Sequence, residues 1–265
     1  MSGVRTDVKR LLARASSRRP AEGATLLIYH RVGGGATDEL DVPAAAFAAQ
    51  LDVLAGHRVV ALDDALDALD RGDRAGRVVL TFDDGFRDVY DHAWPLLRER
   101  GVPFTVYVAT RYIGGVMHWE GSTAADVAAP ALSWEQLAEM VTSGLCTVGN
   151  HTHGHVPPEL LCDRELDRCT DDLQDWLAVT PRHFAYTWGT PVRSMEPALR
   201  RRFRSAATGR LGRNLPGADP MRLARVPVRR TDPVEFFEAK LGGGLLSERV
   251  YGGIVATAKR VGVRG

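Results

Sequence analysis

The chain has few of the features that mark secreted or membrane proteins. It contains three cysteines among 265 residues, and Cys146, Cys162 and Cys169 show no C-x-x-C spacing. An odd number without that spacing favours reduced thiols over a disulfide framework and is typical of a cytosolic protein. No apolar run reaches the roughly 20 residues that a membrane-spanning helix needs, and no apolar signal-peptide region follows Met1. We therefore expect a cytoplasmic location.

A charge imbalance is also lacking. The chain has 34 basic and 33 acidic side chains and a net charge of +1, which gives no reason to expect a nucleic-acid partner. Residues 4–19 are a local exception, because basic side chains alternate there with apolar ones at helical spacing. This segment is compatible with a solvated N-terminal helix or with peripheral contact with an anionic membrane surface. We assign residues 1–22 to a basic N-terminal extension and residues 23–265 to a single domain.

Internal repeats and low-complexity tracts are absent, and strand-like and helix-like segments alternate instead. With 45% apolar residues, the chain is long enough to bury a substantial core. Between the strands, the pattern predicts helices that include a last one over residues 233–241. The irregular, Gly/Ala-rich segment 110–132 is predicted to be a long loop, with Trp119 as a buried or site-lining anchor. The predicted strands cover residues 25–30, 58–62, 77–83, 103–109, 146–149, 183–186, 204–208 and 223–228. This alternation favours one parallel α/β domain, and a barrel over an open sheet.

Two adjacent carboxylates, Asp83 and Asp84, fall where the strand 77–83 ends. Such a pair repels itself unless a metal or a proton neutralises one charge. The alternative is an Asx turn in which Asp84 and Gly85 close a hairpin. A metal is favoured because His151 and His155 also follow a strand, within the sequence H-T-H-G-H. Since strand ends share one face of a barrel, we expect these groups to converge there.

One carboxylate and two imidazoles form the ligand set of a catalytic divalent ion. Asp84, His151 and His155 leave coordination positions open for water and substrate, as catalytic Zn2+ requires. His153 is expected to point elsewhere, and Thr152 to hydrogen-bond the loop and hold the ligands in register. The alternative for this histidine-rich stretch is an incidental polar turn. The same ligand set also occurs in Fe(II) oxygenases, although those are normally built on antiparallel β scaffolds.

The remaining groups at the strand ends suit hydrolysis of an acyl bond. Asp83 is free to act as general base towards a water molecule. The backbone N–H of Trp188 is placed to serve in an oxyanion site. His30 ends the first strand and is the candidate acid for an amine leaving group. The alternative for His30 is a buried structural histidine bonded to the backbone.

The motifs together resemble those of the polysaccharide deacetylase (NodB homology) family, carbohydrate esterase family 4. The resemblance spans about residues 24 to 230 and rests on Y-H-R-V, T-F-D-D-G, H-T-x-x-H and F-A-Y-T-W-G, which begin at Tyr29, Thr81, His151 and Phe184. It implies a distorted (β/α)7 barrel that removes N-acetyl, or sometimes O-acetyl, groups from glycans. It also implies that Asp83 is the base and that Asp84, His151 and His155 bind a divalent metal, usually zinc.

This chain departs from the family pattern at its third and last motifs. Thr187 and Trp188 stand where Pro-Tyr is common, and Ala185 stands where many members have an arginine that orients the base. No histidine follows His183, so the late histidine that supplies the acid in many members is absent. Members with a permuted motif order use the early histidine instead, which favours His30. In those members a late R-x-P-V segment resembles the one at Arg225, which we expect to position a carboxylate.

We accordingly expect a metal-dependent N-deacetylase with an acetylated amino sugar as its substrate. Zinc is the favoured ion, and Co2+, Ni2+, Fe2+ or Mn2+ are alternatives. A catalytically silent carbohydrate-binding relative of the same fold is the other hypothesis, because the late histidine is missing and the third motif is altered. A cytoplasmic or membrane-surface location would favour a lipid-linked, nucleotide-linked or small glycoside substrate.

Overall fold

The fold is built on a closed barrel of seven parallel strands. A computed structural model of the chain describes residues 2–14, 16, 21–119 and 129–260. Each barrel strand pairs with the one that follows it in the chain, and the last closes on the first. The strands are β1 (Ala24–Tyr29), β2 (Arg77–Phe82), β3 (Phe104–Val108), β4 (Cys146–Asn150), β5 (His183–Ala185), β6 (Ser205–Leu211) and β7 (Leu223–Pro227). The predicted (β/α)7 barrel is thereby confirmed.

Helices cover the outside of the barrel. In the described part of the chain they are α1 (Ser2–Arg14), α2 (Ala44–Leu54), α3 (Leu62–Asp70), α4 (Trp94–Glu99), α5 (Trp134–Thr142), α6 (Asp163–Leu177), α7 (Glu196–Arg202), α8 (Val234–Leu241) and α9 (Leu246–Arg260). Short two-residue strands form two further pairs, Arg31–Val32 with Asp41–Val42 and Val116–Met117 with Ala129–Pro130. No helix among the described residues has the length and apolarity that crossing a membrane demands.

Local sequence signals explain several helix boundaries. Ser133 caps α5 through a capping box, since its hydroxyl accepts from the Gln136 N–H while the Gln136 side chain accepts from the Ser133 N–H. A π-helical turn at Val89–Ala93 precedes α4, whose first turn contains Pro95. Because proline has no N–H to donate to the preceding turn, Pro95 interrupts the regular α-helical hydrogen bonding and accounts for the π-helical turn.

Three expectations about the elements were wrong. Residues 58–62 do not form a strand, because Val59 makes only an isolated bridge to Val78 and Leu62 already begins α3. The last helix is α9, which the pattern missed. The predicted loop over 110–132 contains a short helical turn at Thr110–Tyr112 and one of the two-residue strand pairs; its residues 120–128 lie outside the described residues.

The N-terminal helix α1 packs against α8 and α9. Lys9 is fully buried, with its ammonium 2.7 Å from an Asp232 carboxylate oxygen and over the ring of Tyr251. Arg5 pairs with Glu39 at 2.8 Å. Two of the basic side chains in the 4–19 segment therefore face the domain, while residues 15 and 17–19 of that segment lie outside the described part of the chain.

Glycine at one interior position of the barrel makes room for a large neighbour. A Cβ on Gly149, in β4, would lie 2.4 Å from the ring of Tyr107, in β3. Tyr107 is fully buried and lies beneath the Arg225 guanidinium, 5.9 Å from its ring centre. The barrel interior thus holds an aromatic ring directly below a buried positive charge, at the level where the polar site begins.

Candidate active site

All six residues predicted for the site meet at the carboxyl end of the barrel. They follow four different strands, and the closed parallel barrel brings those strand ends together. A cavity of about 230 Å³ lies between them. The predicted residues that line it are His30, Asp83, Asp84, His151, His155 and Trp188.

Asp84, His151 and His155 form the candidate metal centre. One Asp84 oxygen lies 3.2 Å from Nε2 of each histidine, and the three ligand atoms lie within 4.8 Å of one another. The His151 Nδ1–H donates to the Ala185 carbonyl at 2.9 Å. Since a carbonyl only accepts, Nδ1 carries the proton and Nε2 presents its lone pair to the cavity. The donor set therefore fits a divalent cation.

The electrostatics of Asp84 and His155 support the same assignment. Burial would raise the pKa of Asp84, but the neighbouring histidines hold that pKa well below its ordinary value, so the carboxylate is ionised. Burial lowers the pKa of His155 and keeps its imidazole neutral, as a metal ligand must be. His155 Nδ1 is buried and has no hydrogen-bond partner among the described residues. Burial would lower the pKa of His151, but the contact with Asp84 and the charges of Asp83 and Asp84 raise it, so a metal would have to displace a proton from this imidazole.

The loop that carries both histidines is held in a strained shape by buried contacts. Thr152 and His155 have φ values of 67° and 49°, which non-glycine residues seldom adopt. Asn150 is fully buried and bridges the loop to α6, because its Nδ2 donates to the Leu166 carbonyl while its Oδ1 accepts from the Thr152 N–H. The expected role of the Thr152 side chain was wrong: its hydroxyl is buried without a partner among the described residues, and Asn150 supplies the bond instead.

His153 points away from the cavity, as expected. Its Nδ1 lies 3.0 Å from an Asp172 carboxylate oxygen and 3.1 Å from the Thr110 hydroxyl. The intervening Gly154 N–H donates to Glu165 at 2.7 Å. Contacts with α6 and with Thr110, just after β3, therefore turn alternate side chains of the loop inward and outward, which leaves the first and last of its histidines at the candidate metal centre.

Asp83 faces the barrel interior and forms a two-pronged ion pair with Arg225. The Arg225 nitrogens lie 2.6 and 2.7 Å from the two Asp83 oxygens, and the guanidinium is itself fixed by a 2.9 Å bond to the Thr208 carbonyl. Burial would raise the pKa of Asp83, but the charge of Arg225 outweighs it and lowers the pKa. Asp83 is therefore an ionised and oriented carboxylate beside the candidate metal centre.

The two adjacent carboxylates point in different directions because of the turn that holds them. Asp84 has a φ of 77° and Gly85 a φ of 99°. Aspartate tolerates this left-handed conformation better than most residues, and glycine adopts it freely. The turn sends Asp83 towards Arg225 and Asp84 towards His151, so neither carboxylate is left without a positive or hydrogen-bonding neighbour.

Two tryptophans flank His155. The Trp119 ring stacks on the imidazole with a centroid distance of 4.1 Å, and the Trp188 ring lies at 4.6 Å. Trp119 was expected to be buried or to line the site, and it lines the site. Trp188 in place of the common tyrosine predicts a bulkier rim of the substrate groove besides its backbone role, and its indole is an exposed wall of the cavity.

Comparison with known proteins decides the family. The family model for polysaccharide deacetylase matches residues 70–202. The structure of IcaB from Ammonifex degensii is 32% identical, with a TM-score of 0.70, and the match covers 84% of this chain and 98% of that one. The chain belongs to the polysaccharide deacetylase family.

Two further relatives extend the comparison. The Streptococcus pyogenes deacetylase PplD, solved in complex with acetate, shares the fold with a TM-score of 0.69 at 21% identity, over 84% of this chain and 99% of that one. The Bacillus subtilis protein YxkH, which is named as a polysaccharide deacetylase, is 28% identical over 144 residues, or 53% of this chain. The chain covers 46% of YxkH, about half of its length.

The guanidinium that contacts Asp83 comes from Arg225 in β7, whereas Ala185 at the end of β5 has no side chain long enough to do so. The altered turn at Thr187–Gly189 is accommodated by close packing, because a Cβ on Gly189 would lie 2.5 Å from the Gly209 backbone. His30 is half-buried at the cavity wall, and its predicted acid role stays a prediction.

Proposed function

We propose that this protein is a metal-dependent carbohydrate N-deacetylase that hydrolyses the acetamide of an amino sugar. The proposal depends on one observation: three metal-ligand atoms converge within 4.8 Å of one another beside a carboxylate that an arginine holds ionised. The family has members named as deacetylases, which supports the same reaction class.

Asp84, His151 and His155 would hold the ion. Zinc is the favoured metal for one carboxylate and two imidazoles, and Co2+, Ni2+, Fe2+ and Mn2+ are alternatives. A divalent ion bound there would lower the pKa of water towards about 7 and polarise the acetyl carbonyl.

The side chains around that position divide the remaining tasks of hydrolysis. Asp83 accepts a proton from the attacking water while the oxygen of that water bonds to the acetyl carbon. Arg225 orients Asp83 and keeps it ionised. The Trp188 backbone N–H donates a hydrogen bond to the carbonyl oxygen as negative charge develops on it. When the C–N bond breaks, His30 gives a proton to the departing amine, and acetate and a free amino sugar are released.

The direct test measures acetate and free amine together. The metal-loaded protein is incubated with N-acetylglucosamine oligomers, glycosides and glycolipids, and Asp83→Asn serves as the inactive control. We expect equal amounts of acetate and amine from the wild type, and a loss of about 10²- to 10⁴-fold in Asp83→Asn. Acetate without amine would mean ester hydrolysis instead. Binding of the sugars without release of acetate would favour the catalytically silent relative.

We also propose peripheral contact with an anionic membrane surface through residues 4–19. In the described part of that segment, Val4 and Leu11 are exposed, and Arg10 and Arg14 lie on the same solvent-facing side. Exposed apolar and basic side chains together favour the interface of an anionic bilayer. Sedimentation with vesicles rich in phosphatidylserine tests the proposal. The Leu11→Glu variant should sediment with these vesicles less than the wild type does. Equal sedimentation with neutral vesicles would contradict it.

A further inference from the structure

A second cavity adjoins the candidate active site and shares its walls. This outer cavity has a volume of about 590 Å³. Trp119, His155 and Trp188 line it and also line the metal-centred cavity, so the two cavities adjoin at the imidazole and the two indoles. A volume of several hundred Å³ is enough for a substantial chemical group. A group that occupies the outer cavity therefore lies next to the group bound at the metal centre.

The walls of the outer cavity are largely apolar. Val156, Pro157 and Pro158 form one side, and the indoles of Trp119 and Trp188 form the other. Among the described lining residues, the polar side chains that are not metal ligands are Glu159 and Thr190, which are exposed. A site built to bind another sugar presents polar groups that satisfy its hydroxyls. The described walls of this cavity provide few such groups.

Buried contacts give the cavity a preformed shape. The Thr187 hydroxyl donates to the Val156 carbonyl at 2.7 Å and joins its two sides. The Tyr112 hydroxyl donates to the Gly154 carbonyl at 3.2 Å and fixes the segment that leads into the proline wall. Trp188 itself is held at a φ of 52°, a conformation that costs energy for a tryptophan and that persists where the surroundings enforce it. Preformed walls lower the entropic cost of binding.

We propose that the outer cavity binds an apolar aglycone carried by the acetylated amino sugar. This inference rests on the proposed function, because it places the acetamide at the metal centre and the sugar's substituent between the two tryptophans. It distinguishes a glycolipid or an aryl or alkyl glycoside from an unsubstituted polysaccharide, whose neighbouring unit is another sugar.

The test compares ligands that share one acetylated sugar and differ only in their substituent. Methyl and phenyl N-acetylglucosaminides and N,N′-diacetylchitobiose are titrated by calorimetry into metal-loaded Asp83→Asn, and acetate release is followed with the wild-type enzyme. The phenyl glycoside should bind about tenfold to one hundredfold more tightly than the methyl glycoside, because a buried aromatic ring contributes in that range. Its kcat/KM should exceed that of the methyl glycoside by a similar factor.

Variants of the cavity walls test whether the outer cavity causes the preference for the phenyl glycoside. Val156→Glu puts a charge into the apolar wall and should abolish the preference for phenyl over methyl. Leu160→Glu is the matched control, because Leu160 ends the short helical turn Pro158–Leu160 that follows Val156, is 60% exposed, and does not line the cavity. Pro158→Glu provides a second wall variant should Val156→Glu fail to fold.

Each outcome decides the inference. A phenyl preference that Val156→Glu or Pro158→Glu removes and Leu160→Glu retains supports it. Equal affinities for phenyl and methyl, or equal losses in all the variants, overturn it. Tightest binding of the disaccharide also overturns it and assigns a second sugar site. If the binding order holds but no glycoside releases acetate, the proposed function fails while the apolar cavity stands.

Discussion

Arg225 lies 2.6 and 2.7 Å from the two carboxylate oxygens of Asp83, and both side chains are buried. The arginine comes from the last barrel strand and the aspartate from the end of the second. A buried two-pronged pair of this kind fixes the orientation of the carboxylate as well as its charge.

Replacing Arg225 should move the acid limb of the pH–rate profile. In Arg225→Met, burial acts on Asp83 without the opposing charge, so the pKa of Asp83 rises. The base is then protonated over a wider pH range. As the pH is lowered, kcat/KM should therefore begin to fall at a higher pH than in the wild type. Acetate release measured across pH, at a fixed metal concentration, tests this.

Arg222→Met is the control for that experiment, because Arg222 pairs with Glu196 at the surface, away from Asp83. Its profile should match the wild type. Identical acid limbs in Arg225→Met and the wild type would show that Arg225 does not control the base.

Loss of the metal should abolish activity reversibly. Dialysis against a chelator should remove a single ion per chain, and adding zinc or cobalt should restore acetate release. His151→Ala should retain little metal. His153→Ala should retain it, because His153 belongs to the same loop but bonds to Asp172 and Thr110. Metal content by mass spectrometry checks both variants, and equal retention in both would contradict the assigned ligands.

His30 should matter only when the leaving group needs a proton. His30→Gln should lower the release of acetate from an N-acetyl sugar by about 10²-fold or more. Hydrolysis of p-nitrophenyl acetate should change little, because its leaving group departs as a stable anion. Equal losses on both substrates would assign His30 to the support of the site and not to proton transfer.

The N-terminal helix should be integral to the stability of the fold. Lys9→Met removes one of the two buried lysines that pair with Asp232 and should lower the free energy of unfolding by roughly 1 to 3 kcal/mol. The exposed Arg10→Met is the matched control and should change it little. Urea denaturation measures both, and an unchanged midpoint for Lys9→Met would show that α1 contributes little to stability.

The sequence predicted the barrel and the convergence of the site because both follow from regular features. Apolar runs alternate with helical patterns, and polar groups at the ends of parallel strands must meet. The positions of Asp84, His151 and His155 required only this rule and their chemistry. The contact between Arg225 and Asp83 was expected only by resemblance, since nothing in the local sequence states where a lysine or arginine side chain will point.

Other features depended on contacts between distant segments. Burial of Lys9 could not be predicted, because its partner Asp232 lies near the other end of the chain. Helix α9 was missed because Gly252 and Gly253 disfavour a helix, and packing of Tyr251 outweighs that preference. Thr152 was assigned the bond that Asn150 makes, since residue type alone does not distinguish two neighbouring polar side chains.

The central claim is that Asp84, His151 and His155 close around one cation with Asp83 beside it. Anomalous diffraction from zinc-loaded crystals tests it most directly. We predict a single strong peak about 2.0 to 2.2 Å from Asp84 and from Nε2 of both histidines, with Asp83 still paired to Arg225. No peak at this position, or a peak coordinated by other residues, would contradict the account.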